Sequence, residues 1–121
     1  MNWFMKTKQK GTRAEYKLKK ILEAQGYLIV RAAGSGHDTP DIFAFRNGEV
    51  LIFEVKNSKK DIYFRQEQYA GLKKFYENGF KVYIAVYNNG FKFYPFTEIE
   101  KTSKAAKLKL DKFHLTWLFW Y

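Results

Sequence analysis

At 121 residues and 46% apolar side chains the chain can bury one hydrophobic core, so it is read as a single domain, 1–121. No run approaches the roughly 18 consecutive apolar residues of a membrane span, and no basic amphipathic helix of the membrane-surface kind is evident. Lys and Arg number 22 against 12 Asp and Glu, and the resulting charge of +10 favours a polyanionic partner, nucleic acid before membrane. The lack of cysteine excludes a disulfide framework and thiolate metal ligands, and fits a reducing, cytoplasmic setting.

Residues 1–10 are basic without a clear period and read as a loose arm. A helix is expected from Gly11 to Gln25, with Ala14, Leu18, Ile21, Leu22 and Gln25 on one stripe and Gly26 as its stop. Tyr27–Val30 reads as a first strand, and Arg31–Pro40 as a loop. Ile42–Arg46 and Glu49–Lys56 read as two strands joined by Asn47-Gly48, a strong two-residue hairpin signal.

After a polar, basic loop at 57–61, a second helix is expected from Tyr63 to Asn78, with Gly79 as its stop. Phe64, Tyr69, Leu72, Phe75 and Tyr76 form its expected inner stripe. Lys81–Tyr87 and Phe91–Tyr94 are strands, with Pro95 ending the second or placing it at an edge. Residues 97–112 are polar and lysine-rich, and the aromatic end, residues 113–121, reads as a packed structural segment.

The hairpin carries the chemistry. A two-residue turn at Asn47-Gly48 pairs Arg46 with Glu49, Phe45 with Val50, Phe43 with Ile52, and Asp41 with Glu54. Paired residues share a sheet face, with Cβ atoms roughly 4.5–5.5 Å apart, and Lys56 lies on that face two residues beyond Glu54. Two carboxylates so placed repel, and a divalent cation removes the conflict; an Asp–Lys–Glu ion-pair cluster without chemistry is the alternative. Both strand faces are largely apolar, so these strands are expected to be central and covered on both sides. Glu15 can close a capping box with Thr12, or can tilt toward the sheet edge to hold a metal or water.

Taken together, Glu15, Pro40-Asp41 and Glu54-Val55-Lys56 resemble the PD-(D/E)xK nuclease superfamily. Gly11-Thr12-Arg13-Ala14-Glu15, Val30-Arg31-Ala32-Ala33-Gly34-Ser35 and Ile52-Phe53-Glu54-Val55-Lys56 resemble, more narrowly, the archaeal and archaeal-virus Holliday-junction resolvases. The resemblance implies an α/β, restriction-endonuclease-like core: a mixed five-stranded sheet flanked by helices. It implies a homodimer that nicks four-way DNA junctions in pairs, in the cytoplasm or, for a viral protein, in the host cytoplasm.

By position, Asp41, Glu54 and the Val55 carbonyl would bind Mg²⁺, with Mn²⁺ as a substitute. Lys56 would orient water or stabilise charge at phosphorus, and Glu15 would hold water or a second metal. Arg31 would contact a phosphate, and Ser35 would act from a mobile loop. Where some relatives carry Arg after the helix glutamate, this chain has Tyr16, leaving Arg13 or Lys17 to make that contact. DNA affinity is expected from Lys10 and Arg13 on the arm side and from Lys59, Lys60 and Arg65. His37 and His114 lack ligand spacing. Another nuclease of the superfamily and a non-catalytic basic DNA-binding module are the competing readings.

Overall fold

Strands that are apolar on both faces need cover on both faces, and the chain supplies it. The computed structural model describes residues 3–32, 36 and 38–110, with the main chain alone for 3–12. In chain order the elements are α1 (Trp3–Ala24), β1 (Leu28–Arg31), β2 (Ile42–Arg46), β3 (Glu49–Asn57), β4 (Ile62–Phe64) and α2 (Gln66–Glu77). They continue with β5 (Lys81–Tyr87), β6 (Phe91–Pro95), a 3-10 turn (Phe96–Glu98), β7 (Glu100–Lys101) and β8 (Ala106–Leu108).

The main sheet has five strands in the order β1-β2-β3-β5-β6. It is mixed: β3 and β5 are parallel, and the other neighbours are antiparallel. Parallel neighbours need a long crossover. β4 and α2 provide it. On one face Leu18 and Leu22 of α1 pack on Ile42, Ala44, Leu51, Phe53, Ala85 and Phe93. On the other, Leu72 of α2 packs with Ile52, Val82, Ile84 and Val86, together with Ile62, Phe64, Ala106 and Leu108 from a second sheet. Each fully buried Val, Leu, Ile or Phe among them contributes about 1.5–3 kcal/mol.

The hairpin register is the expected one, from Arg46↔Glu49 through Ala44↔Leu51 to Ile42↔Phe53. Asn47 and Gly48 take φ of 50° and 77°, the paired left-handed conformations of the tight turn that matches strand twist.

Four expectations are corrected. Residues 3–10 are helical rather than a loose arm, because Lys, Gln and Met are good helix formers and Gly11 alone costs only about 1 kcal/mol. With the helix starting at Trp3, Thr12 lies inside it and has no terminus to cap, so the capping box with Glu15 is not formed. The second helix starts at Gln66, not Tyr63: Ile62 and Phe64 are buried and Tyr63 exposed, a period of two that makes a strand pairing with β8. Residues 100–108, unassigned from sequence, supply β7 and β8 of a three-stranded sheet ordered β4-β8-β7. Among the described residues no helix is long and apolar enough to cross a membrane.

Candidate active site

Pro40 is buried and delivers the chain to Asp41, where the β2–β3 ladder stops. Three hydrogen bonds then fix Asp41. Its N–H donates to the Phe53 carbonyl (3.0 Å), its carbonyl accepts from Ala32 N–H (2.9 Å), and its carboxylate Oδ2 accepts from Val55 N–H (2.8 Å). A side-chain oxygen therefore substitutes for a ladder acceptor. Asp41 is thus not a ladder partner of Glu54; it is tied to the residue after it, and the two acids remain close enough that the Asp41 charge raises the Glu54 pKa.

Glu54 is 6% exposed and the one buried charged residue among the described residues. Burial, then the Asp41 charge, raises its pKa from the usual 4.5 to about 8, against the opposing pull of Lys56. Lys56 Nζ stands 3.6 Å from Glu54 Oε2 and 5.4 Å from the centre of the Phe64 ring, so β4 forms a wall that holds the ammonium in place. Burial also raises Asp41, against the Val55 N–H, Lys56 and Arg31.

Glu15 projects from α1 to the same end of the sheet. Its pKa is raised by burial and by Asp41. Its Oε1 lies 3.5 Å from Arg31 Nε, an ion-pair rather than a good hydrogen-bond distance, and the Arg31 guanidinium stacks on Tyr16 at 4.7 Å. The helix glutamate, the two hairpin acids, Arg31 and Lys56 thus share one corner of the sheet.

The remaining sequence-selected residues fall around or beyond this corner. Arg13, Lys59, Lys60 and Arg65 are exposed. Arg65 caps α2, its N–H donating to Gln68 Oε1 at 3.1 Å. Of Lys10 only the helical main chain is described. Ser35, His37 and residues 111–121, which include His114 and the aromatic end 113–121, lie outside the described residues. Phe64 and Tyr69, expected on the inner stripe of the second helix, pack in and against the chain's own core; Tyr63 is 65% exposed.

Lys17, named as a phosphate contact, is engaged elsewhere, and one residue, Gly71, escaped the sequence reading. Lys17 Nζ donates to the Tyr87 hydroxyl (2.8 Å), linking α1 to the end of β5. Gly71, inside α2, faces Asp38: a Cβ there would sit 2.1 Å from the Asp38 carbonyl oxygen. The helix thereby sets the height of the segment that leads into Asp41. A glycine in the middle of a helix otherwise made of good helix formers is the signal that could have found it.

The family model for the archaeal Holliday junction resolvase (Hjc) matches residues 6–114. The chain belongs to the archaeal Holliday junction resolvase family. A crossover junction endodeoxyribonuclease Hjc of Methanocaldococcus jannaschii is 43% identical over 84 residues, 68% of this chain and 62% of that protein. The Sulfolobus acidocaldarius Hjc is 31% identical over 106 residues, 81% of this chain and 74% of that protein. The solved structure of Archaeoglobus fulgidus Hjc, a Holliday junction resolvase, superposes with a TM-score of 0.71 at 30% identity, covering 84% of this chain and 85% of that one. The resolvase fold is restriction-endonuclease-like, and the five-stranded sheet of this family member, with a helix on each face, is that fold.

A divalent cation suits the donors at this corner. Were all three carboxylates (Glu15, Asp41, Glu54) ionised against the two cations (Arg31, Lys56), one negative charge would stand uncompensated where burial penalises it, and Glu54 instead keeps its proton up to about pH 8. Among the described residues no three His, Cys, Asp or Glu side chains converge closely enough to cage an ion. Asp41 and Glu54 would supply two carboxylate ligands to an ion that keeps part of its water.

Proposed function

We propose that this chain is a Mg²⁺-dependent endodeoxyribonuclease that resolves four-way DNA junctions by paired nicks, acting as a homodimer in the cytoplasm. The observation that carries the reading is the buried Glu54 carboxylate, held beside Asp41 with Lys56 Nζ 3.6 Å away. Asp41, Glu54 and the Val55 carbonyl would hold the ion, with Mn²⁺ as a substitute. When bound, such an ion lowers the pKa of its water and polarises the phosphoryl oxygen.

The chain's own residues do the rest. Lys56, braced by Glu54 and the Phe64 ring, orients the attacking water and stabilises charge developing on the phosphate. Glu15, restrained by Arg31, holds a water on the α1 side, and Arg31 itself faces a phosphate oxygen once DNA competes for it. Ser35 would join from the loop preceding Asp41. Lys10, Arg13, Lys59, Lys60 and Arg65 would contact non-scissile phosphates, giving affinity that falls steeply with salt and reads little sequence. Two copies about a two-fold axis match the near two-fold symmetry of a junction.

The test is cleavage of a synthetic four-way junction beside matched linear duplex, with and without Mg²⁺. Symmetric, metal-dependent nicks in opposing arms of the junction are expected. Equal cutting of both substrates would favour another nuclease of the superfamily, and no cutting of either would favour a non-catalytic binding module.

A further inference from the structure

We propose that the cleft between the β3–β4 connection and the β5–β6 hairpin holds a second phosphate of the DNA strand being cut, with Lys92 and Lys59 as its cationic ligands. The inference rests on the nuclease reading above and adds a subsite to it.

Sheet register places this cleft. Lys56 is the neighbour of Val86, and Val86 is the neighbour of Lys92, so the three form one row across β3, β5 and β6 on the same face. Strand spacings of 4.7–4.9 Å set the Lys92 main chain about 10 Å from that of Lys56. Val86 forms the floor between them, in a cavity of about 310 Å³ that Lys59 flanks from the other side. A strand whose scissile phosphate meets Lys56 can thus present a neighbouring phosphate to Lys92.

The chemistry of the lining selects an anion. Its acid, Asp61, is already engaged: Oδ1 accepts from Leu110 N–H at 3.0 Å and Oδ2 lies 3.7 Å from Lys107 Nζ. Lys59 and Lys92 are exposed and form no ion pair among the described residues. The cleft offers no stacking surface for a base, because Tyr94 is fully buried and spends its hydroxyl on the Leu110 carbonyl at 3.0 Å. Two ammonium groups over an aliphatic floor suit a phosphodiester, which Lys binds as a point charge.

The experiment measures junction binding by the full chain, with single methylphosphonate substitutions stepped along the strand on either side of the cut. For the wild type, one position close to the cut should weaken binding roughly tenfold when its charge is removed. In Lys92→Ala that penalty should shrink to within about twofold while the other positions keep theirs, and Lys92→Arg should restore it. The slope of log affinity against log salt should fall by about one in Lys92→Ala. Lys59→Ala should relieve the same position, giving a second, independent variant.

Equal penalties in wild type and Lys92→Ala at every position would overturn the subsite. So would an unchanged salt slope. The two readings separate cleanly: a wild type that nicks junctions without any coupled position refutes the subsite alone. One that shows the coupled position yet never nicks refutes the nuclease reading alone.

Discussion

Replacing Gly71 by Ala tests whether α2 sets the position of Asp41. On an exposed helix the change would stabilise by about 1 kcal/mol, through backbone entropy and propensity. Here the new Cβ would meet the Asp38 carbonyl oxygen at 2.1 Å, its carbon at 2.7 Å and its Cα at 3.0 Å, where ordinary contact begins at 3.4 Å. The obstacle is main chain, so no rotamer change relieves it; helix and loop must separate by about 1 Å (3.4 less 2.1 is 1.3 Å). Overpacking of this kind costs about 1–3 kcal/mol, which outweighs the propensity gain and leaves a net loss of up to about 2 kcal/mol. The displaced segment leads through buried Pro40 into Asp41, and a 1 Å misplacement of a reacting group can cost about 10²-fold in rate.

Gly71→Ala should therefore melt a few degrees lower and cut a four-way junction on the order of 10²-fold more slowly. Ala70→Gly, its exposed neighbour on α2, serves as the control: it should lose about 1 kcal/mol to propensity with cleavage unaltered. A Gly71→Ala protein that melts higher than wild type and cleaves at the wild-type rate would refute the positioning argument.

Glu54→Gln should abolish junction cleavage, and in metal-free buffer at pH 9 it should raise stability, because it removes a buried charge; thermal melts and a nicking assay read both. The wild type's metal-free stability should fall as pH rises. A carboxyl whose folded pKa lies near 8 rather than 4.5 contributes stability that is complete below about pH 4.5 and lost on rising through about pH 8. At about 1.4 kcal/mol per unit the loss is a few kcal/mol, and the raised Asp41 and Glu15 act in the same direction. Denaturant titrations from pH 5 to 9 measure it; stability that climbs over that range would contradict the burial argument. Arg31→Ala leaves Glu15 without its partner and should depress cleavage at least tenfold, with Arg31→Lys restoring only part because the stack on Tyr16 is lost; single-turnover rates decide it.

Local rules carried the sequence reading furthest where they had no competitor. Asn47-Gly48 has one comfortable conformation, so the hairpin register, and with it the neighbourhood of Asp41, Glu54 and Lys56, was legible from the order of residues. Lys81–Tyr87 is apolar and β-branched enough to be read to the residue. The misreadings share a cause: their partners are remote in sequence. Ile62–Phe64 is a strand because Ala106–Leu108 lies beside it, and neither segment signals the other. Residues 3–10 lack an apolar stripe, yet a helix of Lys, Gln and Met needs no stripe to form. Glu15 was legible as an acid near a helix border, but its pairing with Arg31 depends on how α1 lies on the sheet. Lys92 went unread because its significance is a register across three strands.

The central claim is that Asp41 and Glu54 share one divalent cation, and calorimetric titration with Mn²⁺ tests it most directly. The wild type should bind with release of roughly one proton per ion at pH 7, since a Glu54 carboxyl with a pKa near 8 must give up its proton to ligate. Asp41→Asn and Glu54→Gln should each abolish the binding. Equal affinity for the ion in wild type and both variants, with no proton released, would contradict the account.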